Sequence, residues 1–171
     1  SPIDTAKAIS MLQTNEGSIR DYLFGGSRTV INPGLPLICI PTTAGSGSEM
    51  SAAAVITDEQ NKIKLSVTHD YLIPKLALLD PLLHTGMPAR VTASTGMDAL
   101  THAIEAYVSL NASPLSDMCA LKAIEMIGQN LRTAVSNGNH REARSNMAIA
   151  SSIAAVAFIN GGLGVVHGIA Q

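Results

Sequence analysis

Asp98 and His102 stand four residues apart in Thr95-Gly96-Met97-Asp98-Ala99-Leu100-Thr101-His102. On a helix that spacing puts a carboxylate oxygen and an imidazole nitrogen on one face, where both can bind a single divalent cation. The same pair also reads as a surface ion pair or as an acidic charge near a helix start. His167 lies in the apolar, glycine-rich run Gly161-Gly162-Leu163-Gly164-Val165-Val166-His167-Gly168. It is either a third ligand or a core histidine with satisfied ring nitrogens, and spacing leaves both open. Glu105 reads as lying off the Asp98–His102 face, as a solvated helix residue or as an acceptor behind the ligands. His69, His84 and His140 occupy polar or turn-like contexts and read as solvated.

A second constellation is Pro41-Thr42-Thr43-Ala44-Gly45-Ser46-Gly47-Ser48-Glu49, directly after a short apolar run. Its glycines allow backbone to approach a ligand closely, and its hydroxyls and N–H groups offer donors to phosphate or ribose oxygens. A tight turn of small residues is the alternative. Ser1-Pro2-Ile3-Asp4 has the form of an N-cap, a proline at the first helical position and an acidic third residue, a capping-box-like start that is also friendly to anions. Lys64 alternates with Ile63 and Leu65 and reads as an outward-facing strand residue.

The elements that must position these groups follow from periodicity. A helix is predicted to about Leu12, fully buried strands over 35–40 and 76–79, and a hairpin pairing 53–57 with 63–67 across a polar turn. After Gly86-Met87-Pro88, alanine-rich helical patterns take over at about 89–108, 115–136 and 141–160, divided by Asn111-Ala112-Ser113-Pro114 and Ser136-Asn137-Gly138-Asn139. The predicted class is therefore α/β followed by all-α, with residues 1–85 in one domain and 86–171 in another.

Composition narrows the function. With 11 Lys and Arg against 13 Asp and Glu, the net charge is −2 and no block of one sign occurs, which removes the electrostatic case for nucleic acid or an acidic membrane surface. A small molecule is the expected partner. Hydrophobic residues make up 46% and charged residues 14%, with mean hydropathy +0.25, so much of the surface is expected to face other protein. Cys39 and Cys119 are isolated and read as buried free thiols, which fits a reducing cytoplasm. No signal peptide or spanning helix is read from the sequence. The chain opens without Met inside a helix-start signal and stops at Gln171 early in another helical pattern, so both ends read as cuts in a longer chain.

Taken in order, these segments resemble the iron-dependent alcohol dehydrogenase family, part of the dehydroquinate synthase-like superfamily that also contains glycerol dehydrogenase. The resemblance runs the whole length. Residues 1–7 resemble the end of the family's Gly-Gly-Gly-Ser motif and its helix, with the glycines absent. Residues 41–49 resemble its Pro-Thr-Thr-x-Gly-Thr-Gly-Ser-Glu loop, with Ser46 where Thr is usual. Residues 96–102 resemble Gly-x-Asp-x-x-x-His, and residues 162–168 resemble the third-ligand motif. The resemblance implies the C-terminal part of a Rossmann-like dinucleotide domain followed by the start of an all-helical metal-binding domain. It implies Asp98, His102 and His167 as ligands of iron(II), or alternatively zinc, with a fourth histidine beyond this chain. It implies Ser1, Asp4, Thr42, Thr43, Ser46, Ser51 and Lys64 as contacts to NAD or NADP. The expected activity is hydride transfer between a small alcohol or aldehyde and NAD(P), in a cytoplasmic homo-oligomer. A glycerol dehydrogenase-like or dehydroquinate synthase-like relative and a non-catalytic fragment are the alternatives. Gln171 departs from relatives that carry a second active-site histidine there.

Overall fold

The computed structural model describes residues 1–59 and 61–170. They form two compact units, one of Ser1–Cys39 with Ser48–Ala77, the other of Ile40–Gly47 with Leu78–Ala170. The class is α/β followed by helices, as predicted.

In the first unit, helix α1 (Pro2–Leu12) packs on the antiparallel hairpin β2 (Ala53–Asp58) and β3 (Ile63–Thr68). The short α2 (Ile19–Tyr22) follows α1. Its core joins Met11, Tyr22, Leu23, Val30, Ala54, Val67 and Leu72. Two strands, β1 (Ile38–Cys39) and β4 (Leu76–Ala77), pair in parallel. The fully buried strands predicted over 35–40 and 76–79 are thus much shorter, and they are not fully buried. Leu35, Ile38 and Leu76 are at least half exposed while Cys39 is buried. Side chains alternate across a strand, and here only one face is covered. Helix α1 starts as predicted, with Ser1 as N-cap, Pro2 at its start and Asp4 in its first turn, but Ser1 makes no side-chain cap. Asp4 is buried, and its carboxylate accepts the Ser48 hydroxyl at 2.6 Å.

In the second unit, three long helices pack together: α3 (Ala89–Tyr107), α4 (Pro114–Ser136) and α5 (Arg141–Gly161), followed by α6 (Val165–Ala170). Their boundaries fall within two residues of the predicted ones. Proline at the first turn and the Ser113 hydroxyl accepting the Ser116 N–H start α4, while the ring of His140 accepts the Ala143 N–H to start α5.

The helix contacts are built in alanine layers. Ala103, Ala123 and Ala154 form one; Ala106, Ala120 and Ala157 form the next; Ala99, Ala134, Ala143 and Ala150 join Ile127 and Met147 in a third. On α3 the contacting positions 99, 103 and 106 follow helical spacing of four and three, so one stripe of methyl groups faces the neighbours. Arg144 is almost wholly buried and ties three segments together, donating to Gly138 O (2.9 Å), the Thr92 hydroxyl (2.7 Å) and Met87 O (3.2 Å). Large apolar side chains stand exposed elsewhere, among them Phe24, Leu110 and Ile169. Among the described residues no helix is long and apolar enough to cross a membrane.

Because Ala154 is fully buried against Ala103 and Ala123, Ala154→Leu is expected to lower stability by about 1–3 kcal/mol, the usual cost of overpacking. The urea midpoint should fall at an unchanged denaturant slope. A parent-like midpoint would show that the contact is slack.

Candidate metal centre

On α3, Asp98, His102 and Glu105 lie one residue before Ala99, Ala103 and Ala106, so their stripe runs beside the alanine stripe, turned by about 100°. Anchoring the alanines therefore fixes the direction of all three polar side chains. Glu105 follows His102 by three and Asp98 by seven, which is the same helix face and not off it as the sequence reading had it. That periodicity was the signal for Glu105.

The third group comes from α6. His167, 65 residues beyond His102 in the sequence, stacks on its ring with centroids 4.2 Å apart and planes inclined by 17°. His167 Nε2 lies 3.5 Å from Asp98 Oδ1. One potential ligand atom from each of Asp98, His102 and His167 falls within 4.8 Å of the others. Asp98 is partly exposed, while His102 is buried and also packs against Phe158.

Glu105 is buried, not solvated. Its Oε1 accepts the Val166 N–H at 2.7 Å, and its Oε2 accepts Nδ1–H of His167. Burial alone would raise its carboxyl pKa, but hydrogen bonds from the His167 ring and from the Gly164 and Val166 backbone bring it below the ordinary carboxylate value. Burial pushes His102 below the ordinary imidazole value, against the opposing charge of Asp98, so its ring stays neutral near pH 7. Nδ1 of His102 is buried without a hydrogen bond among the described residues.

Two neutral-capable imidazoles and a carboxylate are a donor set that suits divalent iron or zinc. The buried Nδ1 of His102, with no hydrogen bond among the described residues, fits such a donor set.

The loop over 41–47 belongs to the same unit, and its glycines serve packing. A Cβ on Gly45 would come within 2.8 Å of Thr95 Cβ and 2.9 Å of its carbonyl oxygen. One on Gly47, whose φ is +62°, would come within 2.4 Å of Ala155 Cβ. Close approach to α3 and α5 thus requires glycine at both positions. Pro41, Ala44 and both glycines are buried, while Thr42, Thr43 and Ser46 are exposed.

His84 corrects another expectation. It is fully buried, with Nε2 2.9 Å from the Pro41 carbonyl, so that nitrogen carries the proton and the ring anchors the base of the loop. Its turn-like sequence context gave no sign of this.

The other predicted cofactor residues, Ser1, Asp4, Ser51 and Lys64, belong to the first unit. Ser1 and Lys64 are exposed. Asp4 and Ser51 are buried beside Lys7, which the sequence reading did not single out. Lys7 Nζ donates to Ser51 O (2.6 Å), Ser51 Oγ (3.0 Å) and Ala53 O (2.9 Å), satisfying all three of its protons. The thiols are unpaired, with Cys39 buried and Cys119, contrary to expectation, only partly so. Gln171 lies outside the described residues.

Residues 1–81 match the family model described as iron-containing alcohol dehydrogenase, and residues 92–171 match that described as the C-terminal part of the Fe-containing alcohol dehydrogenase family. This chain belongs to the iron-containing alcohol dehydrogenase family. Among relatives in the family, long-chain-alcohol dehydrogenase 1 of Geobacillus thermodenitrificans is 50% identical over 171 residues, covering 99% of this chain and 43% of that protein. The NAD-dependent methanol dehydrogenase of Bacillus methanolicus is 48% identical over 168 residues, covering 98% and 44%. The crystal structure of a 1,3-propanediol oxidoreductase superposes with a TM-score of 0.94 at 44% identity, covering 99% of this chain and 44% of that one. The chain spans less than half the length of these family members.

In this family member the Lys7 cluster gives a pH signature. Burial lowers the Lys7 pKa to about 8, against about 10.4 for an unfolded chain. Below about pH 8 the ammonium is charged in both states and its burial opposes folding in full. Between about pH 8 and 10.4 the unfolded chain holds the proton that the folded one has released, so stability rises with pH. Urea midpoints measured across that range should rise relative to those of Lys7→Met; parallel curves for parent and variant would contradict the assignment.

Proposed function

We propose that the protein to which this chain belongs is a metal-dependent NAD(P) alcohol dehydrogenase, with Asp98, His102 and His167 holding a divalent ion. The observation that supports this most is the gathering of those three donors from α3 and α6, with ligand atoms within 4.8 Å, in a member of the iron-containing family. When bound, iron(II), or zinc on the same donors, supplies Lewis-acid polarisation of an alcohol or aldehyde oxygen, and NAD or NADP supplies the hydride acceptor or donor.

The chain's own residues prepare that chemistry. Asp98 contributes one negative charge and the two histidines contribute neutral nitrogen. The burial that keeps His102 unprotonated also keeps its lone pair available. Partial exposure of Asp98 leaves a side open for substrate, the form expected of a catalytic rather than a closed structural site.

For the cofactor, Thr42, Thr43 and Ser46 are exposed positions of a loop whose buried glycines are pinned on α3 and α5. Ser1 and Lys64 are exposed contacts in the first unit. Asp4 and Ser51 serve the same function by holding neighbouring backbone and side chains, Asp4 through Ser48 and Ser51 through Lys7. The substrate class in this reading is a small alcohol or aldehyde; the two relatives' names give methanol and a long-chain alcohol. The exposed apolar side chains support a homo-oligomer, and the two unpaired cysteines support a reducing compartment such as the cytoplasm. In this reading residues 1–85 belong to an NAD(P)-binding domain and 86–171 to a metal-binding domain; the compact units differ from that division in grouping 40–47 and 78–85 with the helices.

In the intact enzyme, chelation should abolish alcohol-dependent NAD(P) reduction, and iron(II) or zinc should restore it. His102→Ala should reduce turnover by more than about 100-fold, beyond what loss of an outer hydrogen bond costs. NADH or NADPH titrated by fluorescence should still bind that variant within a few-fold of the parent. Full activity in metal-free enzyme would overturn the reading.

A further inference from the structure

Glu105 reaches across 62 residues of sequence to hold both the backbone and the ring of His167. Its two oxygens divide the work. Oε1 accepts the Val166 N–H at 2.7 Å and lies 3.4 Å from the His167 N–H, at the start of α6, while Oε2 accepts the ring Nδ1–H. A carboxylate accepts only, so the shared proton belongs to Nδ1, and the lone pair of the ring belongs to Nε2. That nitrogen is the one 3.5 Å from Asp98 Oδ1. The space for this contact is reserved by Gly164, where a Cβ would lie 2.9 Å from Glu105 Oε1 and meet its side-chain carbons at 3.3–3.4 Å. Glu105 itself cannot swing away easily, since it is buried and sits one residue before Ala106, which is locked between α4 and α5.

We infer that Glu105 is a positioning residue for the metal centre, fixing both the tautomer and the orientation of His167 so that Nε2 faces the space shared with Asp98 and His102. This deepens the metal-centre reading above and rests on it. A carboxylate is needed because two acceptors are needed. Gln presents a single acceptor oxygen, which can take the ring Nδ1–H or the Val166 N–H but not both. Asp is shorter by one methylene and would not span the same gap from α3.

The test compares the parent enzyme with Glu105→Gln and Glu105→Leu in the intact protein. In the metal-free parent, nitrogen-15 NMR of the His167 imidazole should show the form protonated at Nδ1. Glu105→Leu should lose that preference, and Glu105→Gln should retain it in part. Zinc titrated by calorimetry should bind Glu105→Leu about 10–100-fold more weakly than the parent, the usual cost of removing a hydrogen bond that orients a ligand, with Glu105→Gln between the two. A parent His167 protonated at Nε2, or equal zinc affinity in parent and Glu105→Leu, would overturn the inference. Should Glu105→Leu fail to fold, the parent tautomer and the partial loss in Glu105→Gln decide the matter. Failure of the parent itself to bind zinc or iron(II) would instead overturn the metal-centre reading, so the two failures are distinguishable.

Discussion

Between α3, α4 and α5 the fully buried side chains of the Ala103–Ala123–Ala154 and Ala106–Ala120–Ala157 layers are methyl groups, with Ile124 and Ile153 packed against the first and Cys119 and Phe158 against the second. This close approach is the constraint from which the candidate site follows. Protein interiors are packed densely enough that a helix held by such layers cannot rotate without opening voids or clashes. Asp98, His102 and Glu105 lie on the neighbouring stripe of α3 and inherit that rigidity. The same tightness explains Gly45 and Gly47, whose missing side chains let the 41–47 segment rest directly on Thr95 and Ala155. A metal centre needs its ligands held in place before the ion arrives, and small-residue packing provides the fixed frame.

The buried charges are handled by different means, and the differences bear on function. Lys7 has three protons and three acceptors, which secures one turn of backbone around Ser51 and Ala53. Among the described residues Arg144 has no carboxylate partner; its planar fork donates to two carbonyls and a hydroxyl, tying together α3, α5 and the turns before each of them. Both are scaffold. Glu105 differs because its partner is a titratable ring with a second nitrogen left over, so satisfying one side of the ring defines what the other side can do.

Much of this was legible in the sequence, and the gaps have physical causes. Alanine-rich periodicity with Pro114 and Asn137-Gly138 as punctuation set the helices to within two residues, because local signals determine where helices begin and end. The strands over 35–40 and 76–79 were overestimated, since an apolar run records hydrophobicity and not how many neighbours will cover it. His84 and Arg144 were invisible for another reason: their partners, Pro41 for the one and Met87 and Thr92 for the other, are more than 40 residues away. Asp98 and His102 were visible as a pair at spacing four, and His167 joined them through a motif resemblance, not through any pattern that spacing could supply. Glu105 was recoverable from the i, i+4, i+7 face; the reading put it off that face, while its alternative as an acceptor agrees with the bonds from Val166 and His167.

The account turns on whether Asp98, His102 and His167 bind one ion together. X-ray absorption at the edge of the bound metal, recorded on the intact enzyme loaded with zinc or iron(II), addresses this directly. The arrangement predicts imidazole nitrogen at about 2.0–2.1 Å, with the imidazole contribution reduced in His167→Ala and again in His102→Ala. A spectrum without imidazole, or one that neither substitution alters, would contradict it.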